Sequence, residues 1–151
     1  MIEAYEQGQA PAFELYGLGL KHKHLPEIMQ YSGLTRRPVF IPSVGNFRQG
    51  MLVQLPLHLD LLPGKPSARD LQEALRQHYA GSTWVSVEPA TADNKLDALA
   101  LVDSNRMELR VFSNSDAGDG FSHAVLVARL DNLGKGASGA AVQNLSLMLG
   151  L

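Results

Sequence analysis

Residues 51–59, MLVQLPLHL, place Met51, Val53, Leu55, Leu57 and Leu59 on one side of an extended backbone, with Gln54, Pro56 and His58 on the other. A helix, whose faces recur about every 3.6 residues, cannot use this ordering, so the segment commits the chain to a sheet with one face in a core. Pro56 lacks the N–H of a ladder donor, which predicts an edge position or a bulge there. The same period returns in RMELRVF, where Met107, Leu109 and Val111 alternate with Arg106, Glu108 and Arg110. The nearly all-apolar HAVLVARL follows, and the turn-rich SNSDAGDGFS between them predicts an antiparallel pair.

Around these strands the punctuation is clear. LYGLGLKHKH reads as extended, because its glycines are too frequent for a helix. Pro26 suits the first turn of a short helix, PEIMQYSG, closed by Gly33. The prolines bounding PVFIP suggest a short strand, and TWVSVEP suggests another. KPSARDLQEALRQHYAG is the strongest helix, with Ser67 as N-cap, Asp70 at capping-box distance, and a stripe of Leu71, Ala74, Leu75 and His78 or Tyr79 that predicts packing on a sheet. About five strands and three helices in mixed order argue an α+β fold, a largely antiparallel mixed sheet with helices on one face.

Composition narrows the chemistry. The 151 residues carry a net charge of −2 without runs of like charge, so neither a nucleic-acid nor an anionic-membrane footprint is expected, and small-molecule or protein partners are. The absence of cysteine excludes a disulfide, a thiolate metal site and a thiol nucleophile from these residues. The acidic first residues lack an apolar signal core and no apolar run is long enough to span a bilayer, so a cytoplasmic location is expected.

Near the end, Gly134-Lys135-Gly136-Ala137-Ser138-Gly139 satisfies a dinucleotide-binding glycine pattern, yet the sequence stops twelve residues later. A complete βαβ unit would bring an acidic residue to the ribose about twenty residues on, so a Rossmann reading fails. What survives is a glycine-rich helix start whose backbone amides and dipole can face an anion or polar ring, or which serves close packing through small residues. The helix GASGAAVQNLSLMLGL is small or apolar nearly all round and is expected to need more covering surface than this chain provides.

DNLGKGASGAAVQNLSLMLGL, with GLKHKHLPEI, PSVGNFRQGM and SNRMEL, resembles the C-terminal half of the short, type 2 N-acetyl-γ-glutamyl-phosphate reductases over essentially the whole chain. The resemblance implies a fold like the C-terminal domain of glyceraldehyde-3-phosphate and aspartate-semialdehyde dehydrogenases. It implies residues 1–130 as a substrate and dimerisation domain and 131–151 as a glycine-rich turn and terminal helix that pack on an NADP-binding domain. That other domain would hold the Rossmann fingerprint and the catalytic cysteine, so these residues alone are expected to be inactive. The implied reaction is NADPH-dependent reduction of an acyl phosphate to a semialdehyde, in arginine biosynthesis, by a homo-oligomer. A thiolate displaces phosphate and the thioester accepts hydride.

His22 and His24, alternating through Lys23, would point to one side of an extended segment. The resemblance implies that one of them is the acid/base, without separating the two, while surface histidines or half of a zinc site are the other readings. Only three further histidines and no third ligand in view argue against zinc, so no metal is expected. Arg48, in a turn-rich segment, has the fork to clamp a carboxylate or phosphate, and the resemblance places it on the substrate side. Arg106 is a second substrate-side candidate, though its face in the alternation predicts solvent exposure; Arg36 and Arg37 are others. Asn132, Gly134 and Gly136 are the implied cofactor-side residues. The competing reading is a non-catalytic self-association module derived from the same family.

Overall fold

The computed structural model describes residues 2–114 and 122–151, and the chain divides into two compact units, 1–48 and 49–151. In the first unit, helix α1 (Ile2–Glu6) precedes strand β1 (Phe13–Leu15), helix α2 (Leu25–Ser32) and strand β2 (Ser43–Gly45). β1 and β2 pair antiparallel, Phe13 opposite Gly45 and Leu15 opposite Ser43. Pro26 lies in the first turn of α2, and Gly33 ends it at φ 69°, a left-handed conformation that glycine adopts without a Cβ penalty.

Two expectations for this unit are corrected. PVFIP forms no strand; its prolines give up ladder donors, and the pairing falls instead on Ser43–Gly45 just beyond it. LYGLGLKHKH is not extended throughout. Leu15 ends β1, Gly17 and Leu20 take positive φ, and a turn closes with Leu20 N–H donating to Gly17 O.

The second unit holds a four-stranded mixed sheet in the order β3-β6-β5-β4, from β3 (Met51–His58), β4 (Val85–Val87), β5 (Met107–Ser113) and β6 (His123–Leu130). β3 and β5 both run antiparallel to β6, with Leu55 and Val111 opposite Leu126, and β4 runs parallel to β5. β3 is an edge strand, which accommodates Pro56. The α+β class and the largely antiparallel sheet stand as expected. The connector before β6 lies mostly outside the described residues.

Helix α3 (Ala68–His78) starts at a full capping box: Ser67 Oγ accepts from Asp70 N–H, and Asp70 Oδ2 accepts from Ser67 N–H. α3 packs on β4 and β5 over a core of Leu59, Val111 and Ala124, joined by Leu57, Leu62, Ala68, Leu71, Leu75 and Leu126. Ala74 and His78 of the expected stripe are exposed instead, because the line that meets the sheet runs through Ala68, Leu71 and Leu75. A helix is about 10 Å across and strands lie about 4.8 Å apart, so one helix covers roughly two of the four. Hence β3 is only partly covered: Leu57 packs in the core, but Val53 and Leu55 are 48% and 54% exposed, contrary to a fully buried face.

On the opposite face, Glu108 and Arg110 are not solvated. Glu108 Oε2 accepts from Arg110 Nη2 at 2.9 Å and from Arg129 Nη2, and the two arginines also reach the carbonyls of Pro89 and Asp97. The segment between β4 and β5 therefore screens charges that the alternation alone would leave in water. After β6 the chain makes one π-helical turn (Gly134–Ser138) and continues as helix α4 (Gly139–Leu149).

Candidate active-site residues and the glycine turn

His24 is the N-terminal capping residue of α2, with its own backbone already in the right-handed helical region, and Pro26 and Glu27 fill the first turn. That start folds Glu27 back onto its cap: His24 Nδ1 lies 2.8 Å from Glu27 Oε2. His22 stands beside it, ring centroids 4.9 Å apart, and accepts the backbone N–H of His24 at Nδ1, 3.3 Å away. Tyr16 and Phe40 meet the His22 ring edge-on at 5.9 and 5.1 Å. The two imidazoles are thus brought together by a turn rather than by a strand.

Arg48 is exposed and makes no hydrogen bond or ion pair among the described residues, as a guanidinium waiting for an anion would. Arg36 and Arg37 are exposed in a bend before Pro38. Arg106 is exposed just ahead of β5, its N–H donating to Ser104 Oγ.

The glycine turn is built around Asp131, which is 1% exposed. Its Oδ1 accepts from Leu133 N–H (2.8 Å) and Gly134 N–H (3.1 Å), and its Oδ2 from Asp103 N–H (2.7 Å) and Gln49 Nε2 (2.9 Å). Gln49 gives its second amide hydrogen to Asp103 Oδ1, and Gly50 N–H donates to Asn132 Oδ1. Burial opposes the charge on Asp131, but the amides of Leu133, Gly134 and Asp103 and the Gln49 carboxamide outweigh it, holding the carboxyl below its ordinary range.

Of the two readings of the glycine turn, amides open to an anion or close packing, the bonding of its amides favours packing. Those of Leu133 and Gly134 go to Asp131, and those of Gly136, Ser138 and Gly139 close i to i−5 bonds. Gly134 also has a packing reason of its own, since a Cβ there would sit 2.6 Å from Ser104 O. Gly136 differs: it is exposed, and an added Cβ would meet only ordinary contacts from 3.4 Å outward. Asn132 has its oxygen engaged, and among the described residues nothing bonds its amide hydrogens. A nicotinamide needs a polar partner and a close backbone approach, and Asn132 and Gly136 fit both demands.

α4 leaves Val142, Leu145, Leu147, Met148 and Leu149 between 56% and 83% exposed, and Leu151 beyond it is exposed too. An open groove of about 480 Å³ lies elsewhere, over Leu52, Gln54, Phe112, His123 and Val125, and none of the candidate residues lines it. Among the described residues there is no cluster of three or more metal-ligating side chains, and no helix is long and apolar enough to cross a membrane.

Asp131, Gln49 and Glu27 were not singled out by sequence reasoning. Asp131 carried a local signal, an aspartate two and three residues ahead of backbone donors. Gln49 carried none, because its partners lie 54 and 82 residues away.

A family model described as "Semialdehyde dehydrogenase, dimerisation domain" matches residues 3–132. An "N-acetyl-gamma-glutamyl-phosphate reductase 2" of Pseudomonas putida is 50% identical over 99% of this chain and 48% of its own length. Proteins named "N-acetyl-gamma-glutamyl-phosphate reductase" from Brucella ovis and Brucella canis are 53% identical over 90% of this chain and 44% of their own. The chain spans about half the length of the curated relatives it matches. It belongs to the semialdehyde dehydrogenase dimerisation-domain family.

Proposed function

We propose that these residues are the substrate and dimerisation part of an N-acetyl-γ-glutamyl-phosphate reductase, acting with an NADP-binding, cysteine-bearing domain and assembling as a homo-oligomer in the cytoplasm. The observation that carries this reading is identity of 50–53% to reductases about twice as long, in a chain with no cysteine of its own. Residues 1–130 would serve substrate binding and dimerisation, and 131–151 would pack on the cofactor domain, which suits the uncovered apolar side chains of α4.

One imidazole of the His22 and His24 pair takes the proton of the incoming thiol and returns one to the carbonyl oxygen during reduction. Arg48 clamps the anionic substrate, and Arg106 is the other substrate-binding candidate. Bound NADPH supplies the hydride. Asn132 offers its free amide hydrogens and Gly136 its bare backbone on the cofactor side, and Gly134 keeps the turn closed next to them. A reductase containing this chain and its cofactor domain should lose turnover with His24→Ala or Arg48→Ala while retaining its fold. Full activity in both variants, or full turnover by these 151 residues alone, would overturn the proposal.

A further inference from the structure

Three consecutive residues ahead of β5 meet the glycine turn at three points. Asp103 N–H donates to Asp131 Oδ2 at 2.7 Å, at the head of the turn. Ser104 O lies against Gly134, where an added Cβ would sit 2.6 Å from it. Asn105 Oδ1 lies against Gly139, where an added Cβ would run into it and would also come within 2.9 Å of Gly134 O. The order 131, 134, 139 follows the order 103, 104, 105, so this segment lies along the turn as far as the first residue of α4. It is itself held: Asp103 takes a positive φ of 59°, and Ser104 N–H and Oγ both donate to Leu101 O.

The turn along which it lies is uncommon. The N–H groups of Gly136, Ser138 and Gly139 reach back five residues, to the carbonyls of Asp131, Leu133 and Gly134, and Ser138 Oγ adds a second bond to Leu133 O. Such π turns are rare and recur at functional sites, and a geometry of this kind persists where its surroundings over-determine it. Asn105 is the costly member of those surroundings. Its Oδ1 is buried and accepts no hydrogen bond among the described residues, an arrangement that stability alone disfavours. We infer that Asn105 is a positioning residue for the cofactor-side turn: its carboxamide, seated against the bare Cα of Gly139, holds the π turn open and so fixes where Asn132 and Gly136 stand. The inference rests on the reductase reading, which puts that turn beside the NADP-binding domain. Asn105 acts through the turn and need not touch the cofactor.

The test is a double-mutant cycle in the 151-residue chain, read as urea unfolding midpoints, together with the kinetics of Asn105→Ala in a reductase containing this chain and its cofactor domain. Asn105→Ala should leave the midpoint near its original value, because the oxygen it removes has no donor to lose. Gly139→Ala should lower the midpoint, and should lower it less in the Asn105→Ala background, where only the Gly134 carbonyl still opposes the methyl. Equal lowering in both backgrounds overturns the contact. In the reductase, Asn105→Ala should lower kcat/KM for NADPH, by up to the roughly 10²-fold that a misplacement of about 1 Å costs, and leave KM for the acyl phosphate near its original value. Coupled midpoints with an unmoved kcat/KM for NADPH overturn the positioning role. A two-domain protein without NADPH-dependent turnover overturns the reductase reading and the role with it, while the midpoint cycle, which needs no cofactor, shows separately whether the contact is right.

Discussion

The carboxamide nitrogen of Gln49 lies 2.9 Å from the buried carboxylate of Asp131, across 82 residues of sequence. The contact ties the entry of β3 to the exit of β6, and through Asp131 it fixes the turn that carries Asn132, Gly134 and Gly136. All four hydrogen bonds to Asp131 favour its ionised form, which gives the molecule a defined response to acid.

A carboxyl held below its ordinary value stabilises the fold above the unfolded-state pKa, and this contribution is lost as pH falls through the folded value. Melting temperature should therefore be insensitive to Asp131 ionisation near neutrality and decline below about pH 4, where an unfolded aspartate begins to take up its proton. Asp131→Asn should melt lower at pH 7 and show a shallower decline in acid. Circular-dichroism melts from pH 7 to pH 3 decide it, and parallel curves for the two proteins would refute the assignment.

Glu108 is also held below its ordinary value: burial opposes ionisation, and the guanidiniums of Arg129 and Arg110 prevail. Replacing it with glutamine leaves two cations facing each other in a site where the paired side chains are only 12% exposed. Glu108→Gln should cost roughly 1.5–3 kcal/mol, the scale of a hydrogen bond to a charged group. Urea unfolding at pH 7 reads this as a lowered midpoint, and an unchanged midpoint would count against the ion cluster.

Gly134 and Gly136 should answer differently to the same substitution. Gly134→Ala drives a methyl to 2.6 Å from Ser104 O and should cost about 1–3 kcal/mol, as overpacking does. Gly136→Ala meets ordinary contacts and should be neutral or stabilising by about 0.4–1 kcal/mol. Under the proposed cofactor-side placement of Gly136, the second variant should raise KM for NADPH in the two-domain reductase. Equal destabilisation by both would mean that the turn does not discriminate between its glycines.

Leu59→Ala removes a side chain 1% exposed at the centre of the core and should cost about 2–5 kcal/mol. Leu55→Ala, on the uncovered part of the same face, should stay within about 0.5 kcal/mol in dilute protein. Comparing both midpoints at low and high protein concentration separates the core from a surface that self-association covers, for which Leu55→Ala would become costly only at high concentration.

Much of the scaffold was legible because its signals are local. The alternation in β3 and β5, the apolar run of β6 and the Ser67–Asp70 capping box each depend on residues a few positions apart. PVFIP misled because proline brackets resemble strand boundaries while removing the donors a strand needs. Of the candidate site, the neighbouring histidines and the glycine turn were visible as motifs, but the inequality of His22 and His24 was not. It depends on which ring nitrogen meets the His24 N–H and which meets Glu27, and spacing does not report that.

By itself the sequence determined the sheet, the capped helix that covers it, the lack of any thiol, and the family to which these residues are related. Those properties follow from periodicity, local capping and residue chemistry, which act over a few bonds or one turn. The tertiary structure alone decided that Glu108 is shared by two arginines, that β3 leaves Val53 and Leu55 uncovered, and that the amides of Leu133 and Gly134 belong to the Asp131 carboxylate. Each is a competition among groups distant in sequence for one buried oxygen or one helix's width of cover, and such a competition is settled only when the chain has closed on itself.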